Sequence, residues 1–267
     1  MSIKIAILIA HPDDEVLFFL PTIHYWTQQQ NAQITLICMT HGNDHRGQEL
    51  RQSAKHLSIH QVVALDLPSF PDCMSIRWNV IHLADLLSSL LTSLKPNHLY
   101  SFDLDGISGH LNHVALAEAI PLISIKTDCS STDDDKTLAV MQKYRLKSKS
   151  WIGKYILPVI PLFHPSSTRS SESITNVASD VHQKTGSHPL ALFPSVNCLQ
   201  KDNTVQYVMG TGNFSFSGHQ SFLKQRLFCR QQAWKGMQIH ASQNVWYRWL
   251  YIWTSSYILS NEYELIH

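Results

Sequence analysis

The stretch from Ile3 to Ala10 is almost wholly apolar and rich in β-branched residues, and it runs straight into His11, Asp13, Asp14 and Glu15. A short continuous apolar run is the pattern of a strand buried on both faces in a parallel sheet. The segment therefore predicts a strand that delivers a histidine and three acids to one sheet edge. The alternation continues downstream. "EVLFFLPTIHYWTQQQ" has the apolar spacing of a helix despite Pro21, and "QITLICMTHG" reads as a second strand. "RGQELRQSAKHLSI" predicts a helix through Leu50, Ala54 and Leu57, and "VVALDL" a third strand. "NVIHLADLLSSLLTSL" is a strong amphipathic helix ended near Pro96, and "HLYSFD" a fourth strand. This order predicts an α/β fold, a Rossmann-like doubly wound and mostly parallel sheet with its active site at the carboxyl ends of the strands.

With 267 residues, 44% of them hydrophobic, the whole chain (1–267) is expected to form one domain. Its middle, about 127–225, holds the polar "TDCSSTDDDKT" and the Ser/Thr-rich "PSSTRSSESITNVASD", segments of surface or flexible character. A helical segment rich in aromatics follows at about 234–260, with Trp246, Trp249 and Trp253 at helical spacing. A net charge of +1 lacks the single-sign field that nucleic-acid binders use, so no nucleic-acid partner is expected. The five cysteines are odd in number, dispersed and never in a C-x-x-C pair, which argues against a disulfide framework or zinc finger and fits a reducing compartment. No apolar run reaches about 18 residues, and the N-terminus lacks a basic n-region followed by an apolar h-region and a small-residue cleavage site, so neither a spanning helix nor a secretory signal is expected in the chain as given.

Three loops rich in His and Asp gather at the predicted sheet edge: "AHPDDE", "THGNDHRGQE" and "SFDLDGISGHLNH". A hydrolytic zinc site takes three ligands from His and Asp or Glu and leaves a position for water. His11 and Asp14 can supply two from one turn and His113 the third. Asp13 is then left beside the metal as a general base, and His110, one helical turn before His113, can donate to a developing oxyanion. Asp105, Glu15 and Asn112 are expected to orient the histidines. An isolated HPDD turn would read as a helix cap with first-turn acids; the distal His-x-x-His shifts the reading to metal. Arg46 and Glu49 also fit an exposed i, i+3 pair.

"AHPDDE", "GNDHRGQELRQSAKHLSI" and "FDLDGISGHLNH" resemble the LmbE-like de-N-acetylase superfamily, and within it the eukaryotic GlcNAc-phosphatidylinositol de-N-acetylases, the PIG-L family. The ending "MQIHASQNVWYRWLYIWTSSYIL" is similar to that branch as well. The resemblance covers roughly residues 3–120 and 234–260. It implies a zinc-dependent deacetylase, with another divalent cation as an alternative, that removes acetate from the glycolipid N-acetylglucosaminyl-phosphatidylinositol. That is the second step of GPI-anchor biosynthesis, at the cytoplasmic face of the endoplasmic reticulum. By the family pattern His11, Asp14 and His113 hold the metal, Asp13 is the base and His110 stabilises the oxyanion. Arg46, in an R-x-x-E-L context, is carried over as a contact for the substrate's phosphate or inositol.

Two departures stand out. Eukaryotic members generally begin with a membrane-spanning anchor, whereas this chain starts at its first strand, which implies a peripheral enzyme if that start is complete. Asn112 stands where bacterial relatives often carry Asp. Contact with a membrane surface is then expected through residues 245–259, either as an interfacial helix or, alternatively, as a buried one. A zinc amidase acting on a soluble N-acetylglucosaminyl conjugate and a non-catalytic sugar-binding member are the other readings. A nicotinamide dehydrogenase is disfavoured, because no G-x-G-x-x-G follows the first strand.

Overall fold

The computed structural model describes residues 2–41, 43–125, 141–156, 196–201, 203–209 and 218–266. Strand β1 (Lys4–Ile9) is followed by the short helices α1 (Asp14–Phe18) and α2 (Leu20–His24), then β2 (Gln33–Cys38), α3 (Asp44–His56) and β3 (Gln61–Ala64). Helix α4 (Val80–Leu94), β4 (His98–Phe102), α5 (Gly106–Gly109) and α6 (Leu111–Ala119) come next. The remaining elements are β5 (Gln142–Leu146), β6 (Val196–Lys201), β7 (Thr204–Met209), α7 (Gly218–Ile239), α8 (Trp246–Thr254) and β8 (Ser260–Ile266).

One eight-stranded sheet has the order β3-β2-β1-β4-β5-β8-β7-β6. Strands β3, β2, β1, β4 and β5 are parallel, and β8, β7 and β6 extend the sheet in antiparallel pairs. Strand β1 is buried from Ile5 to Ile9 because it is covered on both faces, and it sets Ile7 beside Leu36 on one side and Tyr100 on the other. After β3 the chain crosses to the far side of β1, so the strand order reverses between β1 and β4. Ligands of doubly wound sheets bind at that reversal, beyond the carboxyl ends. The HPDDE turn leaves β1 and the DGISGHLNH loop leaves β4, so the fold brings together two loops almost 100 residues apart. The doubly wound α/β architecture is as the sequence predicts.

The long helix expected after β1 is interrupted at Phe19 and finishes as a π-turn over Tyr25–Gln29. Pro21 has no N–H to continue the ladder, and it sits in the first turn of α2, where none is needed. The gap is bridged by Asn261 of β8: its Nδ2 donates to Phe18 O at 2.7 Å, and its Oδ1 accepts from Thr22 N at 3.3 Å and from Thr22 Oγ1 at 2.8 Å. Those two backbone groups would have bonded each other in an unbroken helix.

The C-terminal helical segment is in two pieces. Helices α7 and α8 are separated by a 3-10 turn at Ala241–Gln243, and the chain after Thr254 turns to become β8. Within the middle, "TDCSSTDDDKT" and "PSSTRSSESITNVASD" lie outside the described residues, whereas β5, β6 and β7 come from its described parts.

Candidate active site

His11, Asp13, Asp14 and Glu15 are all buried in the turn after β1. Asp13 has φ 101, a left-handed conformation that a non-glycine residue adopts only when its surroundings enforce it. Here Glu15 Oε2 accepts from the Asp13 N–H at 3.0 Å, while Val16 N and Leu17 N donate to the Asp13 carbonyl. Asp14 Oδ2 is anchored by the N–H groups of Ala10 (3.1 Å) and His11 (2.9 Å).

Three ligand atoms converge. His11 Nδ1 lies 3.7 Å and His113 Nε2 3.3 Å from Asp14 Oδ2. The outer nitrogen of each ring is occupied: His11 Nε2 faces Asn112 Oδ1 at 3.0 Å, and His113 Nδ1 faces Gly106 O at 3.1 Å. Both outer nitrogens must donate, so the inner ones present lone pairs to a carboxylate oxygen. His113 Nε2 is buried and, among the described residues, has no hydrogen-bond partner. Two imidazole nitrogens and a carboxylate oxygen converging in a buried site make a donor set for a cation, and ligands about 2.1 Å from a tetrahedral ion lie about 3.4 Å apart. The donor set and its spacing fit a divalent metal. Burial alone would raise the Asp14 carboxyl, yet positive charge on the His113 ring and then on His11 holds it well below the usual carboxylate range, and a divalent cation between neutral rings would supply that charge in their place.

Glycine at 106 is part of this geometry. At φ +57, with His113 Cβ 3.1 Å from where its own Cβ would stand, it lets the β4 loop pass close to α6.

Burial pushes the Asp13 carboxyl up to about 7, Arg248 pulls it back, and Asp14 and Glu15 add to the rise. Arg248 Nη2 of α8 forms an ion pair with Asp13 Oδ2 at 2.8 Å. His110 is half-buried at the start of α6, its ring 4.5 Å from that of His11 and 5.0 Å from that of His113. Its Nδ1 accepts from Asn112 N at 3.3 Å, leaving Nε2 to carry the proton. Burial, then the His11 and His113 rings, lower it to about 4, so it is uncharged at neutral pH.

Glu15 Oε1 accepts from Ser53 Oγ and from His240 Nε2, both at 2.6 Å. Burial opposes charge on His240, but Glu15 outweighs it and the pKa is raised. Glu15 thus steers the turn through the Asp13 backbone and makes no hydrogen bond to His11 or His113. Asn112 does contact His11, and it is itself held by Cys73 N and Ile76 O. Asp105 is exposed at the start of α5, and among the described residues its carboxylate makes no hydrogen bond to a histidine, because it precedes a turn that carries it outward. Asp103 faces inward and accepts from Ser148 N and Oγ.

Arg46 and Glu49 do not pair with each other. Arg46 Nη1 bonds Asp72 Oδ2 at 2.7 Å, and Glu49 is buried against Ser242 N and Oγ. Asp72, His240 and Arg248 escape the sequence reading. Asp72 follows β3 and lies 3.2 Å from His11 Nε2, so the carboxyl-end logic applied to the other strands would have found it. His240 and Arg248 sit singly in the aromatic C-terminal stretch, where no spacing marks them.

Comparison with known proteins gives a consistent picture. The family described as PIG-L: GlcNAc-PI de-N-acetylase matches residues 6–123. A probable N-acetylglucosaminyl-phosphatidylinositol de-N-acetylase of Schizosaccharomyces pombe is 30% identical over 180 residues, 64% of this chain and 68% of that protein. One of Dictyostelium discoideum is 26% identical over 267 residues, covering 97% of this chain and 91% of its own length. The Bos taurus N-acetylglucosaminyl-phosphatidylinositol de-N-acetylase is 37% identical over 118 residues, 42% of this chain and 46% of the bovine one, so that match spans less than half of it. Among solved structures, the A40926 pseudoaglycone deacetylase Dbv21 superposes with a TM-score of 0.50 at 9% identity, over 100% of this chain and 98% of its own, a likeness of fold.

Proposed function

The chain belongs to the PIG-L family of GlcNAc-PI de-N-acetylases, and on that footing we propose that it hydrolyses the N-acetyl group of N-acetylglucosaminyl-phosphatidylinositol, giving glucosaminyl-phosphatidylinositol and acetate in GPI-anchor biosynthesis. The observation that carries this reading is the convergence of His11 Nδ1, Asp14 Oδ2 and His113 Nε2 beside a buried Asp13 that is not part of that trio. His11, Asp14 and His113 hold the metal, which we assign as Zn2+ from the mixed nitrogen and oxygen donor set. When bound, Zn2+ supplies a Lewis acid that polarises the amide carbonyl and acidifies water.

The chain's own groups do the rest. Asp13 takes a proton from the water whose oxygen attacks the acetyl carbon. His110 donates a hydrogen bond from Nε2 to the carbonyl oxygen as it gains negative charge. As the C–N bond breaks, the proton held by Asp13 passes to the leaving amine. Arg46, fixed by Asp72, faces the phosphate or inositol of the substrate.

A glycolipid must be met at a bilayer, and α8 offers the surface for it. Trp246, Tyr247, Trp249, Leu250 and Trp253 are exposed along it, Ile252 alone turning fully inward, and Trp151 and Ile152 stand exposed on the turn that packs against it through Tyr155 and Tyr251. An apolar, Trp-rich helix face is suited to lie in a lipid interface. Among the described residues no helix is long and apolar enough to cross a membrane. The setting for this reading is the cytoplasmic face of the endoplasmic reticulum.

The test is acetate release from GlcNAc-phosphatidylinositol in vesicles and from its lipid-free headgroup. Release from vesicles at lower KM, with a Trp246→Ser/Trp253→Ser variant raising KM for vesicles only, supports the reading. Release from the headgroup alone moves the protein to soluble conjugates, and release from neither removes the function.

A further inference from the structure

The Asp13 carboxylate has a buried position, a backbone in the left-handed region and, among the described residues, one cationic group at its oxygen, Arg248. The turn holds the main chain of Asp13 through Glu15 and α1, but nothing on the turn itself grips its Oδ2. A side chain aimed by a single partner depends on that partner for its direction. Arg248 comes from 235 residues further along, on a helix fixed to the body by its own contacts: Trp249 against Trp234 at 4.8 Å, Tyr251 against Phe18 at 5.9 Å, and the buried Ile252. Eight residues before Arg248, His240 grips Glu15 from the loop that leads into the helix. The same C-terminal segment therefore holds the catalytic turn at two points, one on the carboxylate of Asp13 and one on the group that holds its backbone.

We infer that Arg248 is a positioning residue that aims the Asp13 carboxylate at the reaction centre, and that through it α8 serves as part of the catalytic apparatus as well as an outer surface. The inference rests on the reading of Asp13 as the base. Arg248 acts through Asp13, so its loss weakens turnover while substrate capture survives; a misaimed group costs up to roughly 100-fold in rate. The exposed residues of α8 have the opposite signature, since they contact neither Asp13 nor the reacting atoms.

The experiment compares wild type with Arg248→Gln and Arg248→Lys, metal-loaded and shown to be folded, on N-acetylglucosaminyl-inositol phosphate and on a phosphate-free N-acetylglucosaminide. The expected result is a kcat lowered roughly 10- to 100-fold in Arg248→Gln on both substrates. KM should stay near the wild-type value and Lys should restore part of the rate. A raised KM confined to the phosphate-bearing substrate, with kcat retained, would make Arg248 a substrate contact and overturn the inference, as would no change in either constant.

A second readout is independent of activity. Thermal unfolding of Arg248→Gln, Asp13→Asn and the double variant should be non-additive, because each single change strands one member of the pair. Additive shifts overturn the inference. If wild type releases no acetate from any substrate, the proposed function fails and the unfolding cycle alone decides the pair.

Discussion

His11 Nε2 and Asn112 Oδ1 lie 3.0 Å apart across 101 residues of sequence, joining the turn after β1 to the helix after β4. The contact fixes the proton of His11 on Nε2 and turns Nδ1 toward Asp14. Partners of this kind typically contribute 10- to 100-fold in metal affinity. Asn112→Ala should therefore weaken Zn2+ binding by roughly 10- to 100-fold, as read by competition with a chromophoric chelator; affinity equal to wild type would contradict the role.

Helix α7 passes so close to α1 that a Cβ at Gly236 would stand 2.7 Å from Val16 Cγ2. Valine is stiff, so the helix must move. Gly236→Ala should cost about 1–3 kcal/mol of stability, and Val16→Ala in the same chain should recover much of it. Denaturant unfolding of the two single variants and the double variant checks this; additive losses would place the strain elsewhere.

Asn261 replaces the hydrogen bond that the break between α1 and α2 removes. Asn261→Leu keeps the volume and strands the Phe18 carbonyl and the Thr22 N–H in the core. A loss of about 2 kcal/mol or more is expected, together with altered metal affinity because α1 begins at Asp14. An unfolding midpoint equal to wild type would show that water repairs the gap.

His24 is buried in α2 with its Nε2 unpartnered among the described residues, and burial, then the nearby His56, lower its pKa from 6.5 to about 4. The unfolded chain takes up a proton below about 6.5 that the folded chain refuses, so stability is full above that pH and falls as pH drops toward 4. The loss is at most about 3 kcal/mol. Asp13, raised by burial, contributes the opposite slope, so the measurement is the difference between wild type and His24→Met in urea unfolding at pH 7 and pH 5. The variant should lose less on acidification; equal losses would contradict the assignment.

Much of the fold was legible because its signals are local. The apolar run of β1 and the amphipathic pattern of α4 need no tertiary information, and the alternation of the two element types implies a site at the carboxyl ends. The clustering of the candidate site residues was legible for the same reason: His11 with Asp14, and His110 with His113, are each set by spacing on one turn. What escaped is long-range. Nothing near Arg248 or His240 announces that they reach Asp13 and Glu15, since that pairing depends on where α7 and α8 dock. Strand β8 hid in a stretch whose alternation, buried Asn261 and Tyr263 against outward Glu262 and Glu264, follows directly on an aromatic helix. The i, i+3 pair that Arg46 and Glu49 also fit does not form, because tertiary partners, Asp72 and Ser242, outcompete it.

The most direct measurement is metal content and acetate release in wild type and Asp13→Asn, each stripped with a chelator and restored with Zn2+. If His11, Asp14 and His113 hold the ion while Asp13 serves as base, the variant binds one Zn2+ as tightly as wild type and loses about 100-fold or more in turnover. A variant that keeps most of its turnover, or that loses the metal along with the activity, would contradict that division of labour.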